Sequence, residues 1–170
     1  EEFDQARSLL KRLGNPDEVT VIPGNHDAYV AMPFASGMGK WADYMTGIRD
    51  SGSDQDSPPR DAKDFPFLRK IGNVALVGLS SALPTVPFSA AGELGKSQLD
   101  RLSRMLKRLG DDGFCRIVLI HHPPFSDSAH RRKSLRDIAG FVGVLGQEGC
   151  ELVLHGHTHV SGLGRIEAAS

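Results

Sequence analysis

Apolar residues at Phe3, Ala6, Leu9, Leu10 and Leu13 recur at helical spacing, and Gly14-Asn15-Pro16 ends the pattern, which predicts an N-terminal helix. "EVTVI" at 18–22 predicts a short strand that breaks at Pro23-Gly24. "VALVGLS" at 74–80, "CRIVLI" at 115–120 and "ELVL" at 151–154 predict buried strands, and "GLGRIEA" at 162–168 one more. Over 97–109, Leu99, Leu102, Met105, Leu106 and Leu109 share one helical face, and Ser97 with Asp100 has the form of a capping box. A further helix fits 134–147 through Leu135, Ile138, Ala139, Val142 and Leu145. Its three glycines weaken it by about 1 kcal/mol each relative to alanine. The polar stretch 49–63, rich in Pro, Gly, Ser and Asp, predicts a mobile surface loop. Strand and helix alternate without an internal repeat, which predicts a single α/β layered domain over residues 1–170.

Composition narrows the class. Of 170 residues, 39 % are apolar and 24 % charged, as in a globular chain. No apolar run approaches the roughly 20 residues of a membrane span. The formal net charge of −1 gives no argument for a nucleic-acid partner. Cys115 and Cys150 lie beside apolar runs and form no short metal-binding pair, which suits two reduced thiols in a cytoplasmic protein.

The chemistry concentrates at strand ends. In "VLHGHTHV", 153–160, His157 and His159 are two residues apart, so on extended backbone both reach one side. Alone, this segment suits either a polar turn or a metal site. Two further apolar runs end alike, in "VTVIPGNHD" and "IVLIHHPP", so six of the seven histidines fall at such ends. Sites in open α/β sheets form beyond the carboxyl ends of strands, where three turns can converge. The convergence favours metal binding. Asn25 reads as a ligand or a turn former, and His122 as a residue behind the ligands. His155 reads as part of the cleft wall or as facing a neighbouring strand. Tyr29 is a candidate for stacking on a base, and His130-Arg131-Arg132-Lys133 for gripping a phosphate or facing solvent.

Gly24-Asn25-His26-Asp27, His121-His122-Pro123 and Gly156-His157-Thr158-His159, in this order and spacing, resemble the last three motifs of the calcineurin-like metallophosphoesterase superfamily. Within it, the chain looks most like the bacterial branch related to class III cyclic-nucleotide phosphodiesterases. The resemblance implies a four-layer α-β-β-α sandwich and two divalent ions (Mn, Fe, Zn or Mg). It implies hydrolysis of phosphodiesters, cyclic nucleotides among them, or of phosphomonoesters through a metal-bridging hydroxide, on a small-molecule substrate with no membrane partner. Carried over, Asn25, His121 and His157 would ligate one ion and His159 the other. His26 would protonate the leaving group, and Asp27 would hold the other ring nitrogen of His26. The family's Asp-x-His and Gly-Asp motifs do not occur upstream of Asn25. The expectation is therefore a fragment of a metallophosphoesterase domain, without its first strands and without C-terminal parts. Such a chain alone would bind at most one ion and lack activity. The rival expectation is a non-catalytic metal-binding module.

Overall fold

The computed structural model describes residues 1–46, 58–125 and 131–167. Four strands form one sheet in the order β1-β2-β3-β4: Phe67–Ile71, Val74–Gly78, Cys115–Leu119 and Leu152–Leu154. β1 and β2 are antiparallel, while β2, β3 and β4 are parallel. Helix α2 (Lys96–Asp111) connects β2 to β3, and α3 (Ile138–Glu148) connects β3 to β4. Helix α1 spans Glu2–Leu13. The α/β class expected from the alternation holds.

Strand β1 is absent from the periodicity reading because Arg69 and Lys70 interrupt its apolar run. Its signal is the two-residue turn: Ile71 pairs with Val74 across Gly72-Asn73, and Gly72 takes a φ of 58°. Two expected strands do not form. Residues 18–22 enter no ladder among the described residues; Val19, Val21 and Ile22 pack side-on against an aromatic cluster instead. Residues 162–167 are irregular, and 168 lies outside the described residues. Of the predicted loop 49–63, residues 49–57 lie outside the described residues, whereas Pro59 is buried and Ala62–Asp64 form a 3-10 turn.

Alternation along β1 sends its side chains to two cores. Leu68 joins Val77, Leu102, Leu106, Val118 and Phe141, which seal α2 and α3 onto one sheet face. Phe67 joins Trp41, Tyr44, Met45 and Phe65 on the other face, with Phe3 and Leu10 of α1 packed against them. Arg69 shares the face of Phe67 and is 1 % exposed. Its Nε donates to Thr46 O, Nη1 donates to Val19 O at 2.9 Å, and Nη2 donates to Pro16 O. The guanidinium thus fastens the run leading to residues 24–28 onto the sheet.

Both predicted helix starts shift for tertiary reasons. Helix α3 begins four residues late because Leu135 first bridges Gly92: Gly92 N donates to Ser134 O and Arg136 N donates to Gly92 O. The Asp137 carboxylate then accepts from Leu94 N and Gly95 N, so α2 starts at Lys96. The Ser97–Asp100 capping box does not form; Asp100 pairs with Lys96, and Ser97 accepts from Arg101.

At the far end of the sheet, Glu151 accepts from Arg116 Nη2 at 2.8 Å, while Arg116 Nη1 donates to Glu148 O at 2.8 Å. The Arg116 hydrogen bond holds the Glu151 carboxyl below its ordinary value of 4.5, although partial burial opposes this. Because the folded value is the lower one, this pair stabilises the fold above pH 4.5, and the contribution is lost as pH falls through the folded value. Glu151→Gln is expected to flatten the acid-side decline of the melting temperature; an unchanged decline would show that the pair contributes nothing.

Candidate functional site

Parallel pairing places the carboxyl ends of β2, β3 and β4 on one edge, with Gly78 opposite Leu119 and Leu119 opposite Leu154. The chain leaving β3 carries His121 and His122, and the chain leaving β4 carries His155, His157 and His159. Gly156 N donates to His121 O at 3.0 Å, which ties these two turns together. The third contributor is a 3-10 turn, Asn25–Ala28. It sits against β3 because Gly24 has no side chain: a Cβ there would lie 2.9 Å from Cε1 and Nδ1 of His121.

Three donor atoms meet at this junction. Asn25 Oδ1 is 2.8 Å from His121 Nε2, His121 Nε2 is 3.0 Å from His157 Nδ1, and His157 Nδ1 is 3.2 Å from Asn25 Oδ1. Hydrogen bonds cannot satisfy all three edges. Oδ1 donates nothing, and each ring nitrogen carries at most one proton. If both rings donate to Oδ1, two N–H groups face each other. If one ring donates to the other, the second ring nitrogen faces Oδ1 with no proton between them. A cation fits: neighbouring donors on an octahedral ion with bonds of about 2.1 Å are about 3.0 Å apart. Burial first, then His122, His157, His26 and His159, push the His121 imidazole down to about 4, so its lone pair is free. Burial likewise lowers His157; the Lys133 backbone opposes this, and the charges of Lys133, His159 and His26 add to the lowering.

The surroundings fix this triangle. Asn25 is 2 % exposed, and its Nδ2 donates to Tyr29 Oη, which leaves Oδ1 facing the imidazoles. Tyr29 also packs its ring 4.8 Å from that of His26. His122 is fully buried: Nδ1 lies 2.7 Å from Ser81 Oγ and Nε2 lies 2.9 Å from Ala90 O. A carbonyl only accepts, so Nε2 carries the proton and Nδ1 accepts from the Ser81 hydroxyl. Burial, partly opposed by the Ala90 carbonyl and reinforced by His157, pushes His122 down to about 4. Both of its nitrogens are committed away from the triangle, and its ring lies 4.4 Å from that of His157.

Gly92 makes the His122 pocket possible, since a Cβ there would stand 2.3 Å from His122 Nδ1. Gly92→Ala is expected to cost about 2–3 kcal/mol of unfolding free energy, because the ring is held on both sides and cannot give way. A urea midpoint equal to that of the parent chain would show the pocket to be more compliant than described.

The remaining candidates fall into place differently. His26 is exposed in the cleft wall. Asp27 does not hold its ring: the carboxylate accepts from Gly24 N at 2.7 Å, because the 3-10 turn points it back along the chain. Burial raises the Asp27 carboxyl, and the Gly24 N–H and the charge of His26 oppose this. His159 lines the cleft at a φ of 57°, and His157 has a φ of 71°, so the two leave strand geometry and do not point one way from extended backbone. His155 meets the Phe125 ring at 6.0 Å. Among the described residues, no group of three His, Cys, Asp or Glu side chains gathers as a metal site, so the triangle depends on the Asn25 amide. Lys133 lines the cleft, and His130 lies outside the described residues. The cleft has a volume of about 770 Å³. Sequence reasoning missed Ser81, Ala90 and Gly92; Gly24 stood in its motif, but without the packing against His121 that requires a glycine there.

Among the described residues, no helix is long and apolar enough to cross a membrane. A search of the curated proteins finds no match. A family model described as calcineurin-like phosphoesterase matches residues 2–161.

Proposed function

Because the chain belongs to the calcineurin-like phosphoesterase family, we propose that it serves the metal-dependent hydrolysis of a small phosphoester, with Asn25, His121 and His157 as ligands of one divalent ion. The donor triangle carries this reading, since an ion relieves a conflict that hydrogen bonds leave in place. A divalent ion there would polarise a phosphoryl oxygen and lower the pKa of a bound water. The chain's own residues supply the rest. His26 stands exposed in the cleft, where a ring N–H can be given to the departing oxygen. Tyr29 holds the His26 ring from one side, and Asp27 shapes the turn through Gly24. Lys133 offers a positive charge for a phosphate. A cleft of this size, walled partly by Phe125 and Val160, suits a nucleotide-sized diester, cyclic nucleotides included.

Residues 1–170 act in this reading as one metallophosphoesterase domain in a cytoplasmic protein. A second ion, with His159 as a ligand, needs carboxylates of the kind found in Asp-x-His and Gly-Asp motifs. Because no carboxylate joins the triangle among the described residues, the second reading is a non-catalytic metal-binding module.

Metal stoichiometry and hydrolysis of nitrophenyl and poor-leaving-group diesters, with added manganese, separate the two. They are measured on the 170-residue chain and on a chain extended upstream with both motifs. The extended chain is expected to hold two ions and turn over both esters. In it, His26→Ala should keep the metals and lose about 10²–10⁴-fold on poor leaving groups, and less on nitrophenolate. Equal losses on both esters would remove His26 as proton donor. An inactive extended chain with full metal would favour the binding module.

A further inference from the structure

A second cavity, of about 800 Å³, lies away from the cleft, between α2 and residues 58–67. Arg60, Lys63, Arg101, Arg104 and Arg108 line it against a single carboxylate, Asp64. That carboxylate accepts from Arg60 N at 2.7 Å and Asp61 N at 3.1 Å and forms no ion pair among the described residues, so one negative charge faces five positive ones. Arg101 is committed: it donates to Ser97 Oγ and to the carbonyls of Lys63 and Phe65, which fixes the 63–65 wall to α2. The side chains of Arg60, Lys63, Arg104 and Arg108 form no ion pair among the described residues. Arg101, Arg104 and Arg108 recur at i, i+3 and i+7, so three guanidiniums share one helix face over about 10 Å, an arrangement that repels itself until an anion arrives. Met105, Pro66 and Phe67 give the cavity apolar surface between the charges.

We propose that this groove is a binding site, separate from the cleft, for a small organic molecule bearing two or more phosphates. Fork-shaped guanidiniums match phosphate oxygens in pairs. The groove is of small-ligand size and has a clamped wall on one side, which favours such a molecule over a nucleic acid strand lying across a flat face. The test is calorimetric titration of the metal-free chain with inorganic triphosphate and with ATP, at low and moderate salt. Both should bind, more weakly as salt rises, and ATP more tightly because its nucleoside meets the apolar surface. R104E/R108E, two exposed helix positions, should lose at least 10-fold with helicity unchanged, while His121→Ala should bind as the parent does. Absence of binding at millimolar ligand would overturn the proposal, as would binding that His121→Ala abolishes and R104E/R108E does not. A single-stranded oligonucleotide binding more tightly than ATP would overturn the small-ligand assignment.

A different observation carries a second inference, which rests on the proposed metal reading. An amide ligand presents oxygen only if its nitrogen is held elsewhere, and here the Tyr29 hydroxyl holds it. We infer that Tyr29 is a positioning residue that selects the Asn25 rotamer with Oδ1 toward the imidazoles. Tyr29→Phe keeps the ring and removes only the acceptor. It should weaken manganese binding about 10-fold, the range for groups that orient ligands. The metal-free variant should remain folded with unchanged helicity, and His26→Ala, which removes the ring beside Tyr29 but not the Asn25 contact, should keep the parent's manganese affinity, a combination that a merely structural role would not produce. Unchanged affinity in Tyr29→Phe, with His121→Ala losing the metal, would overturn this inference alone. Full metal retention in both variants would overturn the metal reading itself.

Discussion

Asn25→Ala, His121→Ala and His157→Ala are each expected to lower divalent-metal affinity by about 100-fold, at or above the upper end for changes one shell further out. The three donor atoms lie 2.8, 3.0 and 3.2 Å apart, so removing any one leaves two neutral donors, too few for an ion that water holds well. The loss should be alike for all three, because no carboxylate joins the triangle among the described residues to compensate. Thr158→Ala is the matched control: its hydroxyl is turned to Val160 O, away from the triangle. Elemental analysis after dialysis at limiting manganese reads the result. Parent-like metal content in all three variants would mean that the triangle holds no ion.

The second large effect is expected at Arg69. Arg69→Met preserves the bulk of the stem and removes every donor, leaving the carbonyls of Pro16, Val19 and Thr46 without their partner inside the fold. An unsatisfied acceptor costs about 1–3 kcal/mol when fully buried, and these three are half-buried, so the variant should lose about 2–4 kcal/mol, a large share of a typical total. Arg69→Lys should not restore it, because one ammonium cannot span three divergent carbonyls. Urea unfolding gives the stability. Metal affinity should fall in parallel, since the same run of chain leads to Asn25. A loss below 1 kcal/mol would show that solvent reaches these carbonyls and that Arg69 is no clamp.

The parts of this protein that its sequence determined are those encoded within a few residues. Leucines at helical spacing specify α2, and short β-branched runs specify β2, β3 and β4, because one element's own periodicity decides which face is apolar. That His121 and His157 come together was legible for a related reason: each follows an apolar run, and the carboxyl ends of the parallel strands β3 and β4 lie side by side; Asn25 entered only through the resemblance of its motif. What escaped depends on partners far along the chain. The run at 18–22 has strand composition yet forms no ladder, since pairing requires a neighbour and composition does not supply one. Arg69 and Lys70 hide β1 because the sequence cannot show that a buried guanidinium finds three carbonyls 23 or more positions away. The expected Asp27–His26 contact gave way to Asp27–Gly24 because a 3-10 turn, not an extended loop, carries the motif. His122 and Tyr29 became interpretable only with Ser81, Ala90 and Asn25 beside them. Residue types are set locally, but the direction of a lone pair is set by tertiary contacts, and that direction separates three nearby polar residues from a site that can hold an ion.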